Sequence, residues 1–119
     1  MDDLRVDDRI VIPAGELQWT FSPSGGPGGQ HANRASSRAQ LRFDVAASSA
    51  CDEATTRRIL AKVGAHAQQG TITVVVDESR SQWRNRQIAR QRLAEVIREA
   101  LRPEPTRVKT KPTRASRRR

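Results

Sequence analysis

Two short runs of alternating apolar and polar residues bracket a glycine-rich segment, and that pairing restricts the fold more than any other feature of the chain. Across 16–22, Leu17, Trp19 and Phe21 alternate with Gln18 and Thr20; across 38–45, Ala39, Leu41, Phe43 and Val45 share one face. A period of two is that of a half-buried strand. Two such runs joined by one segment predict an antiparallel pair with "SGGPGGQHANR" (24–34) projecting from its end. Gly25, Gly26, Gly28 and Gly29 are four of the chain's seven glycines. Each glycine loses more backbone freedom on ordering than any other residue, so so many together ask for a reason.

The rest of the pattern completes a small domain. Ser49, with Asp52 three residues on, resembles an amino-terminal helix cap. Ile59, Leu60 and Val63 give that helix an apolar side, and Gly70 is expected to end it. "TITVVVD" (71–77) is the clearest strand. Ser81 is expected to cap a longer helix whose buried stripe is Ile88, Ala89, Leu93, Val96, Ile97 and Ala100. The order β-β-α-β-α predicts an α+β fold, one sheet packed against two helices, with the glycine loop joining the first two strands. That domain is expected to occupy 1–101. Residues 102–119 read as a basic, disordered tail, because Pro103, Pro105 and Pro112 break helices and little apolar surface remains.

The chain carries 22 Lys and Arg against 13 Asp and Glu, a formal net charge of +9. Such a balance favours a polyanionic partner, with nucleic acid the first candidate and an acidic membrane surface the second. The charge is uneven. Asp2, Asp3, Asp7, Asp8 and Glu16 face only Arg5 and Arg9 at the amino end, whereas 80–102 holds many arginines and only Glu95 and Glu99. No apolar run reaches the roughly 18 residues of a membrane span, and no apolar amino-terminal segment marks export. A soluble, cytoplasmic protein with no membrane partner is expected. Cys51 is the single cysteine and His31 and His66 the two histidines, so no disulfide framework, metal site or cofactor is expected.

The glycine segment fits neither familiar phosphate cradle. Pro27 or His31 stands where the dinucleotide fingerprint needs glycine, and no Gly-Lys-Ser/Thr ending makes a P-loop. It also leads from strand to strand, with no helix amino terminus to hold an anion. On its residues alone, an ordinary flexible hairpin loop is the simplest reading. It holds no acid and no Cys–His or Ser–His pair with which to build a nucleophile. His31 is the one loop residue that titrates near neutrality. Trp83, at the start of the last helix, can stack on a base or pack locally. Cys51 has no partner to activate it and reads as inert.

The wider pattern is more specific. "GPGGQHANR" resembles the catalytic loop of the class I peptide-chain release factors. "IPAGELQW", "LRFD" (41–44), "RSQWRNRQIARQRL" (80–93) and "KPTRAS" (111–116) resemble, in the right order, the small ribosome-rescue branch of that superfamily. Departures are few. Gly25 stands for the usual Ser, Ala32 for Val and Arg34 for Lys, and the family's tail usually runs on beyond the position of Arg119.

The resemblance implies a codon-independent peptidyl-tRNA hydrolase acting in the peptidyl-transferase centre of stalled ribosomes. It implies Gly28, Gly29 and Gln30 as the catalytic residues, supported by Gly26, Pro27, His31 and Asn33. The backbone N–H of Gln30 would donate to the tetrahedral oxyanion. Its neutral side chain would orient water, leaving proton relay to the tRNA ribose and ribosomal RNA. His31 would anchor the loop or touch RNA, and Asn33 would clasp the loop's return. RNA contacts fall to Arg34, Arg107, Lys109, Lys111, Arg114, Arg117, Arg118 and Arg119. The tail, which spans roughly 50–60 Å when extended, would probe the mRNA channel. Implied partners are the ribosome and peptidyl-tRNA, with the protein a monomer off the ribosome. The alternative is a non-catalytic RNA-binding or ribosome-associated module that retains the loop.

Overall fold

At the amino end Leu4, Val6, Ile10 and Ile12 alternate with or flank charged residues, and all four are buried. In the computed structural model, which describes residues 2–23, 36–64 and 67–103, they form a ribbon of two short antiparallel strands, β1 (Leu4–Arg5) and β2 (Val11–Ile12). The Asp7 carboxylate shapes its turn, accepting from the backbone N–H of Arg9 and Ile10 at 2.8 Å each. This ribbon is absent from the predicted order β-β-α-β-α. Its acids signal solvent, but they point away from an apolar face that becomes part of the core.

The two alternating runs become β3 (Leu17–Ser22) and β4 (Arg38–Asp44), paired antiparallel from Leu17 opposite Phe43 to Ser22 opposite Arg38. After α1 (Glu53–Val63), β5 (Ala67–Gln68) and β6 (Thr71–Val76) complete a four-stranded antiparallel sheet of order β3-β4-β6-β5. The chain ends its regular structure in α2 (Gln82–Leu101). Ala39, Leu41, Phe43, Ile72 and Val76 are buried on one sheet face, and α2 packs on β4 and β6 there with α1 beside it. The opposite face exposes Gln18, Thr20, Arg42 and Thr73. The fold is therefore the expected α+β arrangement of a sheet against two helices, with the ribbon and the short edge strand β5 added.

Three details differ from the sequence reading. Asp52, not Ser49, caps α1, its side chain accepting from the Thr55 N–H at 2.7 Å. Gly64, with φ of 48°, ends that helix rather than Gly70. Gly70 instead forms with Gln69 the tight turn between β5 and β6, where both residues have positive φ, 85° and 55°. Two positive φ values in a two-residue hairpin are what the sheet's twist demands. The cap on α2 is the expected one, with Ser81 Oγ accepting from the Arg84 N–H at 3.1 Å. Among the described residues, no helix is long and apolar enough to cross a membrane.

Ser49 serves a longer-range contact. The Glu16 carboxylate accepts from Ser48 Oγ at 2.5 Å, Ser49 Oγ at 2.6 Å and Ser49 N–H at 3.0 Å, joining the turn before β3 to the bend after β4. Desolvation pushes the Glu16 carboxyl up, but the bonds from Ser48 and Ser49 outweigh it and hold the group below its ordinary value of 4.5. A depressed folded-state value means the contribution is fully present above the unfolded value of 4.5 and is lost as pH falls from there through the folded one. Glu16→Gln should therefore lower the Tm at pH 7, with the gap to the parent protein closing below pH 4.5. A gap that widens on acidification would contradict this linkage.

Candidate functional site

The residues that carry the predicted chemistry, Gly26, Pro27, Gly28, Gly29, Gln30, His31, Asn33 and Arg34, lie outside the described residues. So do Arg107, Lys109, Lys111, Arg114, Arg117, Arg118 and Arg119 of the tail. What the structure shows is how the two ends of the glycine segment are held. Ser22 and Arg38 form the last register pair of β3 and β4, so the segment leaves and rejoins the sheet at one point.

That point is tied to the first turn of α2. Gln82 Nε2 donates to the Ser36 carbonyl at 2.7 Å. One turn further in, Asn85 is fully buried, and its amide is saturated. Asn85 Nδ2 donates to the carbonyls of Ser37 at 2.7 Å and Ser79 at 2.8 Å, while Oδ1 accepts from the Ser79 N–H at 3.0 Å. A single side chain thus joins the returning end of the loop, the β6–α2 connection and the helix itself. Buried polar groups left without such partners are costly, so this network specifies one arrangement.

Asn85 escapes the apolar-stripe reading of α2, yet its place is visible in the sequence. It stands four residues before Ala89 and eight before Leu93, so it lies on the buried stripe. A polar residue on that stripe marks a position where the helix must satisfy backbone groups from elsewhere. Ile88 and Val96 of the predicted stripe only border the core, while Ala94 lies within it.

A second cluster flanks the departing end. The rings of Trp19 and Phe21 stack with centroids 5.8 Å apart and planes 8° apart. The Arg86 guanidinium carbon lies 5.7 Å from the Phe21 centroid, a cation–π distance. Trp83 is 62% exposed and lies outside the core. Cys51 is half-buried; burial, and then the nearby Glu16 charge, push its thiol up, so it stays protonated at neutral pH. This agrees with an inert thiol.

Comparison with known proteins places this architecture. The RF-1 domain model matches residues 5–119. The chain is 34% identical over 113 residues to the peptidyl-tRNA hydrolase ArfB of Pseudomonas putida, a match covering 95% of this chain and 82% of that protein. It is 31% identical over 90 residues to the large ribosomal subunit protein mL62 of Mus musculus, covering 75% of this chain and 44% of the mouse protein. With Gly28-Gly29-Gln30 set between β3 and β4 and the match spanning nearly every residue, the chain belongs to the RF-1 domain family, that of the class I release factors.

Proposed function

We propose that this protein hydrolyses the ester of peptidyl-tRNA on stalled ribosomes without reading a codon. The observation that carries the reading is the Gly28-Gly29-Gln30 tripeptide in a segment that leaves and rejoins the sheet at one register pair and whose returning end is tied to α2 by Gln82 and Asn85. A near-side-chain-free backbone can approach the tRNA end where a Cβ would clash. The Gln30 backbone N–H is the oxyanion donor, and a preorganised donor of this kind is among the largest contributions to acyl-transfer catalysis. A neutral amide takes no proton, so the proton passes through the ribose hydroxyl of the tRNA and ribosomal RNA. Support for the substrate comes from the Pseudomonas relative, whose name assigns it this hydrolysis.

In this reading the tail detects stalling by entering an empty mRNA channel, and the protein works as a cytoplasmic monomer when off the ribosome. Deleting 103–119 should weaken ribosome association and flatten its salt dependence, each lost phosphate contact lowering the slope by about 0.7–0.9. The domain should keep its Tm, because α2 ends at Leu101 and the core lies within 4–100. Undiminished rescue by the shortened protein would assign stall sensing elsewhere.

A second reading, a ribosome-associated module without turnover, draws on the similarity to the mouse ribosomal protein. Peptide release from ribosomes halted on messages lacking a stop codon separates the two. The first requires release by the intact chain and a fall of about 10²–10³ with Gly29→Ala. Binding without release by the intact chain would establish the second.

A further inference from the structure

The arginines in and flanking α2 fall into two groups. Arg90 donates to the carbonyls of Asp2 and Asp3, Arg92 pairs with Glu78, Arg98 with Glu95 and Arg102 with Glu99. Arg80, Arg84 and Arg86, at the end nearest the glycine segment, form no ion pair among the described residues. Arg86 Nε is buried with no acceptor among the described residues. The first turn of α2 holds no acid, whereas α1 carries Glu53 in its first turn and Lys62 in its last. Positive charge at a helix amino terminus opposes the macrodipole, so this cluster costs the isolated fold stability.

The same end of the helix exposes its largest aromatic. Trp83, Arg86, Gln87 and Arg90 are spaced i, i+3, i+4 and i+7, one stripe of the helix. Together with Asp2 they line a groove of about 370 Å³. Arg86 is held over Phe21, one residue from the end of β3, so the groove opens beside the root of the glycine segment. An exposed indole beside Arg86, which has no ion pair among the described residues, matches a single-stranded nucleotide: a base to stack on and a phosphate to neutralise. Arg90 is held to the carbonyls of Asp2 and Asp3 at the far end of the groove. Duplex RNA offers the phosphate but keeps its bases stacked within the helix.

We propose that the groove formed by Trp83, Arg86, Gln87 and Arg90 binds an unpaired nucleotide of ribosomal RNA, its base stacked on Trp83 and its phosphate on Arg86. Gln87 supplies an amide for the base edge or ribose. The groove lies at the root of the loop and the tRNA ester at its tip, which makes ribosomal RNA the source. The choice of that source rests on the function proposed above; the nucleotide site itself does not.

The test uses the full chain and hexauridylate, read by tryptophan fluorescence and by anisotropy of the labelled RNA. Quenching on binding is expected, with a weaker response to a duplex of equal phosphate count. Trp83→Ala should lower hexauridylate affinity about tenfold, within the range found for removing one stacking platform. Trp83→Phe should bind nearly as the parent while losing the quenching, and Arg86→Gln should lower the salt slope by about 0.7. Trp83 is a surface residue, so the two Trp83 variants should keep the parent Tm. Absence of quenching, or equal affinity of Trp83→Ala and the parent, would overturn the site. Vacant large ribosomal subunits, free of tRNA, form the second arm. Trp83→Ala must bind them more weakly, and an unchanged affinity would overturn ribosomal RNA as the source. Gly29→Ala should behave as the parent in both arms, so a chain that fails to release peptide can still pass this test.

Discussion

Gly29→Ala should reduce peptide release by about 10²–10³, the usual effect of losing one oxyanion donor, while ribosome binding is retained. The reason is geometric. A methyl group at this position narrows the backbone choices of the tripeptide and displaces the N–H of Gln30 from the developing oxyanion. Binding should survive because the arginines at the start of α2 and the basic tail lie elsewhere in the sequence. Gln30→Ala is the informative partner variant. It keeps the backbone N–H, so it should retain part of the activity and lose some exclusion of other nucleophiles. A Gly29→Ala protein that releases peptide at the parent rate would remove this loop from the chemistry. Equal and complete loss in both variants would move the essential group from the backbone to the Gln30 side chain.

Asn85→Leu should lower stability by about 2–4 kcal/mol, the range for stranding several buried polar groups. The carbonyls of Ser37 and Ser79 and the Ser79 N–H would lose their partner together. For a domain of this size that is a fall in Tm of roughly 10–25 °C. Asn85→Asp should be at least as harmful at pH 7, because a carboxylate would face two carbonyl oxygens where the amide donates. Lowering the pH protonates that acid and should recover part of the loss, which Asn85→Leu cannot do. Release should fall in both variants at temperatures where they stay folded, since Ser37 anchors the returning end of the glycine segment. An unchanged Tm in Asn85→Leu would show that the loop root does not depend on this amide.

These two positions differ in how they could be found. Gly28-Gly29-Gln30 is legible as a motif because the chemistry proposed for it lies in local backbone and one side chain, and local information is what a motif contains. Asn85 is a plain polar residue until its three partners, up to 48 residues away in sequence, close around it. The basic patch shows the same division. Composition reveals an excess of arginine in 80–102, but not that Arg90, Arg92, Arg98 and Arg102 are occupied by carbonyls and carboxylates while Arg80, Arg84 and Arg86 have no ion pair among the described residues.

By itself the sequence determined the β3–β4 pair, β6 and α2 with its Ser81 cap, because period-two and period-3.6 patterns report which face of each element is buried. It also determined the family, through a motif and its ordered neighbours. Only the tertiary structure decided the rest. The β1–β2 ribbon has strands of two residues, too short for a period to register, and gains its stability from Leu4, Val6, Ile10 and Ile12 packing into a core assembled by later elements. Gly70 could end a helix or turn a hairpin, and the choice fell to the pairing of β5 with β6. Ser49 could cap a helix, but Glu16, 33 residues away, takes its hydroxyl and leaves the cap to Asp52. In each case the local preference was weak, and a partner distant in sequence supplied the deciding interaction.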